Sequence, residues 1–288
     1  MDFLRPTTLA EALAMKAETP EAVPIAGGTD MMVELNFDIR RPPALLDLTN
    51  VPELAEWTEE NGHIRLGSGV SYARIIAELG AVLPGLAMAS RTVGSPQIRN
   101  RGTVGGNLGS ASPAGDAHPP LLAGNAAIEI ASAAGTRTLP AQEFFVGPKR
   151  SVLGPDELII AVLVPKAPGP QQFAKVGTRN AMVIAVCSFA VELDPASRRV
   201  GTGIGSAGPT PLRALEAEAF AAREIAWGSR KPLPDNVLAR FGELVGAAAR
   251  PIDDVRGTAA YRRHALSVLA RRTLSWAWRD FRSGGWST

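Results

Sequence analysis

The residues best suited to chemistry lie between Gly94 and Ala123, in GSPQIRNRGTVGGNLGSASPAGDAHPPLLA. Gly102, Gly105, Gly106, Gly109 and Gly115 alternate there with Ser, Thr and Asn, and almost no long apolar side chain precedes Leu121. Such a segment turns where other residues cannot and lets bare backbone N–H groups approach a ligand. Arg99 and Arg101 stand at its start, Thr103 and Asn107 bracket the glycine pair, and Asp116 opens an apolar, helix-like run. Charge, hydrogen-bonding groups and N–H donors converging in this way suit a phosphate-bearing cofactor. A long surface loop that builds no core has the same composition.

A second glycine pair favours the cofactor. Ala22 to Ala26 reads as a strand delivering the chain to Gly27-Gly28-Thr29-Asp30, with a helix beginning at Met31 to Leu35. A strand ending in two glycines can turn its N–H groups toward a pyrophosphate. Alone it would be an ordinary turn between elements.

The elements that must position these segments follow from pattern. Thr8-Leu9-Ala10-Glu11 has the spacing of a capping box, and Leu9, Leu13 and Ala17 continue it as a short amphipathic helix. With a strand at Ala44 to Leu48, Met1 to about Glu56 forms a small β-α-β-like unit. From His63, short strands are expected at Ile64 to Leu66, Ala126 to Ala131, Thr136 to Leu139 and Leu158 to Val164, with helices at Ser71 to Leu79 and Leu86 to Val93. Lys166 to Pro170 is a linker. Beyond it, Gln172 to Val176, Met182 to Leu193 and Val200 to Ser206 read as three antiparallel strands, followed by helices at Leu212 to Trp227, Asp235 to Ala249 and Thr258 to Trp278. In the last helix Tyr261, Ala265 and Leu269 share a face, while Arg262, Arg263, Arg271 and Arg272 are expected on a solvated face or a subunit-docking surface.

Composition narrows the chemistry. The 288 residues suffice for about two domains, and 45% hydrophobic with 20% charged residues describes a globular chain with ample core material. A net charge of +2, without a basic block interleaved with aromatics, gives no sign of nucleic-acid binding. The single cysteine, Cys187, permits no internal disulfide and no iron–sulfur cluster held by this chain, and its surroundings MVIAVCSFAV mark it as a small buried hydrophobe. His63, His118 and His264 lack metal-ligand spacing. P-loop, G-x-G-x-x-G and nucleophile-elbow motifs are absent from the sequence, which leaves positioning of a cofactor as the task. With no signal-like start and no apolar run of ~18 residues, a cytoplasmic location without a membrane span is expected.

TVGGN followed by ASPAGD, with AGGTD upstream at Ala26 to Asp30, resembles the FAD-binding medium subunit of the molybdenum hydroxylases. That family includes the flavoprotein subunits of xanthine dehydrogenase and aerobic carbon monoxide dehydrogenase. FAKVGTRNAMVIAVCSFAVEL and DVRGTAAYRRHALSVLARRTL extend the resemblance through the second half. It implies an α+β chain. An FAD-binding domain of two α/β subdomains, like that of p-cresol methylhydroxylase and vanillyl-alcohol oxidase, would span 1–168, the subdomains covering about 1–56 and 57–168. A C-terminal flavoprotein domain of 169–288 would carry a three-stranded antiparallel sheet and helices.

Carried over by position, Pro24, Ile25, Ala26, Gly27, Gly28, Thr29, Asp30 and Met31 would wrap the FAD pyrophosphate and ribityl chain. Thr103, Gly105, Gly106 and Asn107 would form the second phosphate and flavin motif, with Asp116, Ile159 and Lys175 as further contacts. Val93 stands where many relatives have an aromatic residue. Neither glycine motif holds a His or Cys to tether the flavin, so FAD should be bound non-covalently. The implied function is electron transfer: FAD takes electrons from two [2Fe-2S] clusters of a small subunit, fed by a large molybdenum-binding subunit, and passes them to an external acceptor. The assembly expected is a dimer of heterotrimers. KVGTRNAMVIAV leans toward xanthine or N-heterocycle substrates. The other readings are a scaffold subunit that has lost its cofactor and a stand-alone FAD oxidoreductase.

Overall fold

The computed structural model describes residues 1–284, so the last four residues of the expected C-terminal domain lie outside the described residues. The chain opens with a parallel sheet of β1 (Asp2–Leu4), β2 (Val23–Ile25) and β3 (Ala44–Asp47) in the order β1-β3-β2. β1 is too short and too exposed for its pattern to announce it. Helix α1 (Leu9–Glu18) joins β1 to β2, and Thr8 Oγ1 caps it by accepting from Glu11 N at 3.2 Å. The Glu11 carboxylate closes the cap one residue early, on Thr7 N and Oγ1. The buried Lys16 donates to the carbonyls of Pro20 and Ala22 and so fixes the turn into β2. Helix α2 (Met31–Asn36) follows β2 through the first glycine pair.

After the short α3 (Pro52–Ala55), a five-stranded antiparallel sheet runs β4-β5-β10-β6-β7. Its strands are β4 (Trp57–Glu60), β5 (His63–Gly67), β6 (Ala127–Ser132), β7 (Gly135–Pro140) and β10 (Leu158–Pro165). β10, LIIAVLVP, is central and almost wholly buried, as its unbroken apolar run requires, whereas the polar edge strand β4 carries no such signal. Helices α4 (Tyr72–Glu78) and α5 (Pro84–Arg91) cover the sheet.

The glycine-rich stretch, which by composition could be a loop, instead forms two short helices, α6 (Pro96–Arg101) and α7 (Val104–Ser110), and the helix-like run expected after Asp116 is α8 (His118–Ala123). Val104, Leu108, Ala111, Ala117 and Leu121 all enter the main core with Ile64, Ile128 and Val162. Side-chain caps make this possible in so polar a sequence: Ser95 Oγ accepts from Ile98 N, and Thr103 Oγ1 from Gly106 N at 2.9 Å. Gly105 then lets α7 lie against the sheet, because a Cβ there would stand 2.4 Å from Ser68 Cβ. A small α9 (Ala141–Phe144) and the two-stranded β8 (Phe145–Gly147) and β9 (Arg150–Ser151) complete this half.

The second half holds an antiparallel sheet of β11 (Gln171–Val176), β12 (Cys187–Asp194) and β13 (Arg199–Gly205), packed on α10 (Leu215–Glu224), α11 (Asp235–Ala248) and α12 (Ala259–Arg282). Three expectations need correction. β12 begins at Cys187 and not at Met182, because the chain loops back from β11 with Met182 at φ +50°. Leu212 precedes the helix and forms an isolated bridge to Ile204. Arg262 is not solvated: it lies on the same helical face as Ala265 and Leu266, 3% exposed, and satisfies its guanidinium on Val186 O and Ser206 O, both at 2.7 Å, and on Asp254. Tyr261 is 49% exposed and leaves the core face to its neighbours.

The halves meet through α8 and β13. Alternate residues Gly201, Gly203 and Gly205 present a strand face without side chains, and a Cβ on Gly203 would lie 2.0 Å from Pro119 O. At the edge of this contact Gln171 accepts from Gly85 N at 2.8 Å and donates to the buried Glu192, which also binds Arg199. This docking carries the end of β11, with Lys175, to the glycine-rich helices.

Candidate functional site

The two glycine motifs meet backbone to backbone. A Cβ on Gly27 would lie 1.9 Å from Arg101 O, so only glycine allows the turn after β2 to rest on the junction of α6 and α7. Gly28 has φ +73°, a conformation that L side chains disfavour. Beyond it, the N–H groups of Gly28, Thr29, Asp30 and Met31 have no acceptor among the described residues. Asp30 Oδ2 accepts from Ser110 Oγ at 2.5 Å, with Gly106 O the longer alternative acceptor for the same hydroxyl at 3.0 Å, which ties the first motif to the end of the second. Lys149 and Glu34, 2.9 Å apart, add a tie across the same gap.

On the other side α7 presents an almost bare face. Gly106 and Gly109 are exposed, and a Cβ on Gly106 would meet only Thr103 Oγ1, at 3.2 Å. Thr103 itself is buried and serves as the helix cap. Asn107 Oδ1 accepts from Ala117 N at 3.3 Å, and His118 Nε2 donates to Asn107 O at 3.2 Å. Gly115 is obligatory here, since its Cβ would stand 2.3 Å from the His118 ring. Burial lowers His118 to about 4 and keeps it neutral, with Nδ1 enclosed and unpartnered.

At the far end Asp116 Oδ2 accepts from Lys175 Nζ at 2.6 Å, and Lys175 also donates to Thr92 O at 3.0 Å. Both side chains are buried, 7% exposed for Lys175 and 10% for Asp116. Burial raises the Asp116 carboxyl above the usual range, opposed by the Lys175 charge. Asp116 Oδ1 is enclosed without a donor, a vacancy in hydrogen bonding that a buried carboxylate seldom tolerates.

The expected residues therefore fall into three groups. Gly27, Gly28, Thr29, Asp30 and Met31 form the turn into α2, tied by Asp30 to the end of α7, which carries Gly106 and Asn107, while Asp116 and Lys175 pair between α7 and α8 on one side and β11 on the other; the space these segments flank is the candidate groove. Thr103 and Gly105 support the wall from behind, by capping and by close packing. Ile25 is half-buried beneath Gly28, whereas Pro24 is exposed and Ala26 half-buried on the approach strand. Ile159 lies on β10, 7% exposed, with Cδ1 4.0 Å from where a Gly109 Cβ would be, so it underlies α7. Val93 is half-buried against the core, and its carbonyl accepts from Arg99. Sequence reading missed Ser110 and Thr92, whose hydroxyls join the two motifs and touch Asp116. Surface hollows of about 630 Å³ beside Arg223 and Trp227 and about 340 Å³ beside Arg271 and Trp276 share no residue with this groove.

Residues 1–167 match the family model described as the FAD binding domain in molybdopterin dehydrogenase, and residues 172–277 match the CO dehydrogenase flavoprotein C-terminal domain. A xanthine dehydrogenase FAD-binding subunit of Escherichia coli O157:H7 is 31% identical over 283 residues, covering 95% of this chain and 94% of that one. The nicotine 6-hydroxylase medium subunit of Paenarthrobacter nicotinovorans is 30% identical over 277 residues, covering 94% and 95%. Among solved structures, a carbon monoxide dehydrogenase from Hydrogenophaga pseudoflava that lacks the Mo-pyranopterin moiety of its cofactor superposes with a TM-score of 0.88 at 26% identity, covering 96% of this chain and 97% of that one.

Proposed function

Since the chain belongs to the FAD-binding medium subunits of the xanthine and carbon monoxide dehydrogenase family, we propose that it takes electrons from [2Fe-2S] clusters of a partner subunit and passes them to an external acceptor. In this reading residues 1–168 bind FAD, with subdomains of about 1–56 and 57–168 forming the two walls, and 169–288 bring Lys175 to the groove. The observation that carries it is the contact of Gly27 with Arg101, which unites two glycine segments distant in sequence into one groove with free N–H groups and a bare helix face.

These residues fit FAD. The N–H groups of Gly28 to Met31 suit the diphosphate, and Gly106 and Gly109 allow a flat ring or ribityl chain to approach the α7 backbone. The Lys175 ammonium holds the Asp116 carboxylate in place beside the α7 backbone, so the pair sets the charge at that end. When bound, FAD supplies the redox centre that can exchange electrons singly with clusters and in pairs with an acceptor. The chain's own part is to hold that group, set its electrostatic surroundings and exclude water on the α7 side.

Hydroxylation of the substrate belongs, in this proposal, to a large molybdenum subunit, and relay to a small iron–sulfur subunit, assembled as a dimer of heterotrimers in the cytoplasm. Among the described residues no helix is long and apolar enough to cross a membrane, and no cluster of metal-ligating side chains occurs. The test is to supply the purified chain with a strong donor, then with xanthine, an N-heterocycle or carbon monoxide, alone and with its partner subunits. Bleaching of the flavin by dithionite without substrate turnover is expected for the single chain, and turnover only with both partners. Turnover by the chain alone would overturn the assignment.

A further inference from the structure

We propose that Tyr72 positions the cofactor, its phenol donating a hydrogen bond to FAD held between the two glycine segments; the inference rests on FAD occupying that groove. Tyr72 is the first residue of α4, capped by Ser71, and is only 3% exposed. Its N–H donates to Gly102 O at 3.0 Å, and a Cβ on Gly102 would lie 3.3 Å from Tyr72 Cδ2 and Cε2. The ring is thus pinned to the place where Gly27 rests on Arg101 and Gly102, the junction of the two motifs.

The hydroxyl is the unusual part. A buried tyrosine generally places its O–H on a partner, because an unpaired polar group in the interior is costly. The Tyr72 hydroxyl has no partner among the described residues, yet it is not one of the enclosed orphan atoms, which are Asp116 Oδ1, His118 Nδ1 and Arg282 Nε. The hydroxyl therefore keeps some accessible surface, and with the ring edge against Gly102 we place that surface toward the segments joined at Gly27. Burial, together with the charges of Asp116 and Asp30, raises the phenol well above its ordinary value, so it remains an O–H donor at any working pH. The ring is held in the core and the donor is left to a ligand. A purely structural aromatic would be served as well by phenylalanine.

Two measurements on the full chain test this. Tyr72→Phe removes one oxygen, and the FAD-free variant should melt close to the wild type while its dissociation constant for FAD rises about fivefold, the effect of one neutral hydrogen bond. The chain has only two tyrosines, and the other, Tyr261, is on the far helix α12. Fluorotyrosine labelling of the wild type therefore gives two fluorine resonances, of which FAD should move that of Tyr72 and spare that of Tyr261. Should the variant not fold, the resonance decides alone. An unmoved Tyr72 resonance, or equal FAD affinities, would overturn the role of Tyr72 while leaving the flavoprotein reading intact. A wild-type chain that takes up no FAD would instead remove the premise.

Discussion

Asp116 and Lys175, 59 residues apart, meet at 2.6 Å across the contact between the chain's two halves. The pair is buried on both sides and has one carboxylate oxygen to spare. It ties the docking of the C-terminal sheet to the electrostatics of the groove, so a change in one is felt by the other.

Lys175→Met leaves Asp116 without its cation. Burial already raises the Asp116 carboxyl, and removal of the ammonium raises it further. A carboxyl raised in the folded state stabilises the fold below its unfolded value, and that contribution is lost as pH climbs through the folded one. Urea unfolding should therefore show a loss of about 3–5 kcal/mol above neutrality, the cost of a broken buried pair, and a smaller loss as the solution is acidified and Asp116 takes up a proton. A loss that does not change with pH would contradict the pairing.

His118 makes an independent pH prediction. Its folded value of about 4 lies below the ordinary 6.5. A histidine buried neutral contributes stability that is present above its unfolded value and lost as pH falls toward the folded one, here on the order of 3 kcal/mol. His118→Gln abolishes that titration. The stability gap between wild type and variant should narrow as the solution is acidified from neutrality, and a constant gap would show that the ring is not held neutral.

Gly105 and Gly106 are neighbours with separable duties. A methyl at Gly105 would strike Ser68 at 2.4 Å, so Gly105→Ala should destabilise even the FAD-free chain, by about 1–3 kcal/mol. Gly106→Val meets only the Thr103 hydroxyl and faces the groove, so the fold should persist while FAD affinity falls at least about tenfold. Circular dichroism and FAD titration of the two variants separate the outcomes. Equal FAD affinity of Gly106→Val and wild type would remove α7 from the site.

Some of this was legible in the sequence. Thr8 and Glu11 marked the start of α1, runs separated by short turn signals marked the three strands of the C-terminal sheet, and the paired glycines marked the two segments that meet at Gly27 and Arg101. What escaped detection depends on contacts distant in sequence. The stretch around TVGGN reads as a loop by composition, because its helices bury small residues against Ser68 and the sheet and need few large side chains. Arg262 reads as solvated because the groups that make its burial tolerable, the carbonyls of Val186 and Ser206 and the Asp254 carboxylate, are brought to it from elsewhere in the chain. Tyr72 has no motif at all, and its place becomes visible only when Gly102 lies over its ring.

The most direct test of the account is the flavin content of the purified full-length chain. A yellow protein that releases an equimolar amount of FAD into the supernatant on acid precipitation is the predicted result, since no His or Cys in the glycine motifs can tether the ring. A chain that is colourless and takes up no FAD on titration, or one whose flavin stays in the pellet, would contradict it.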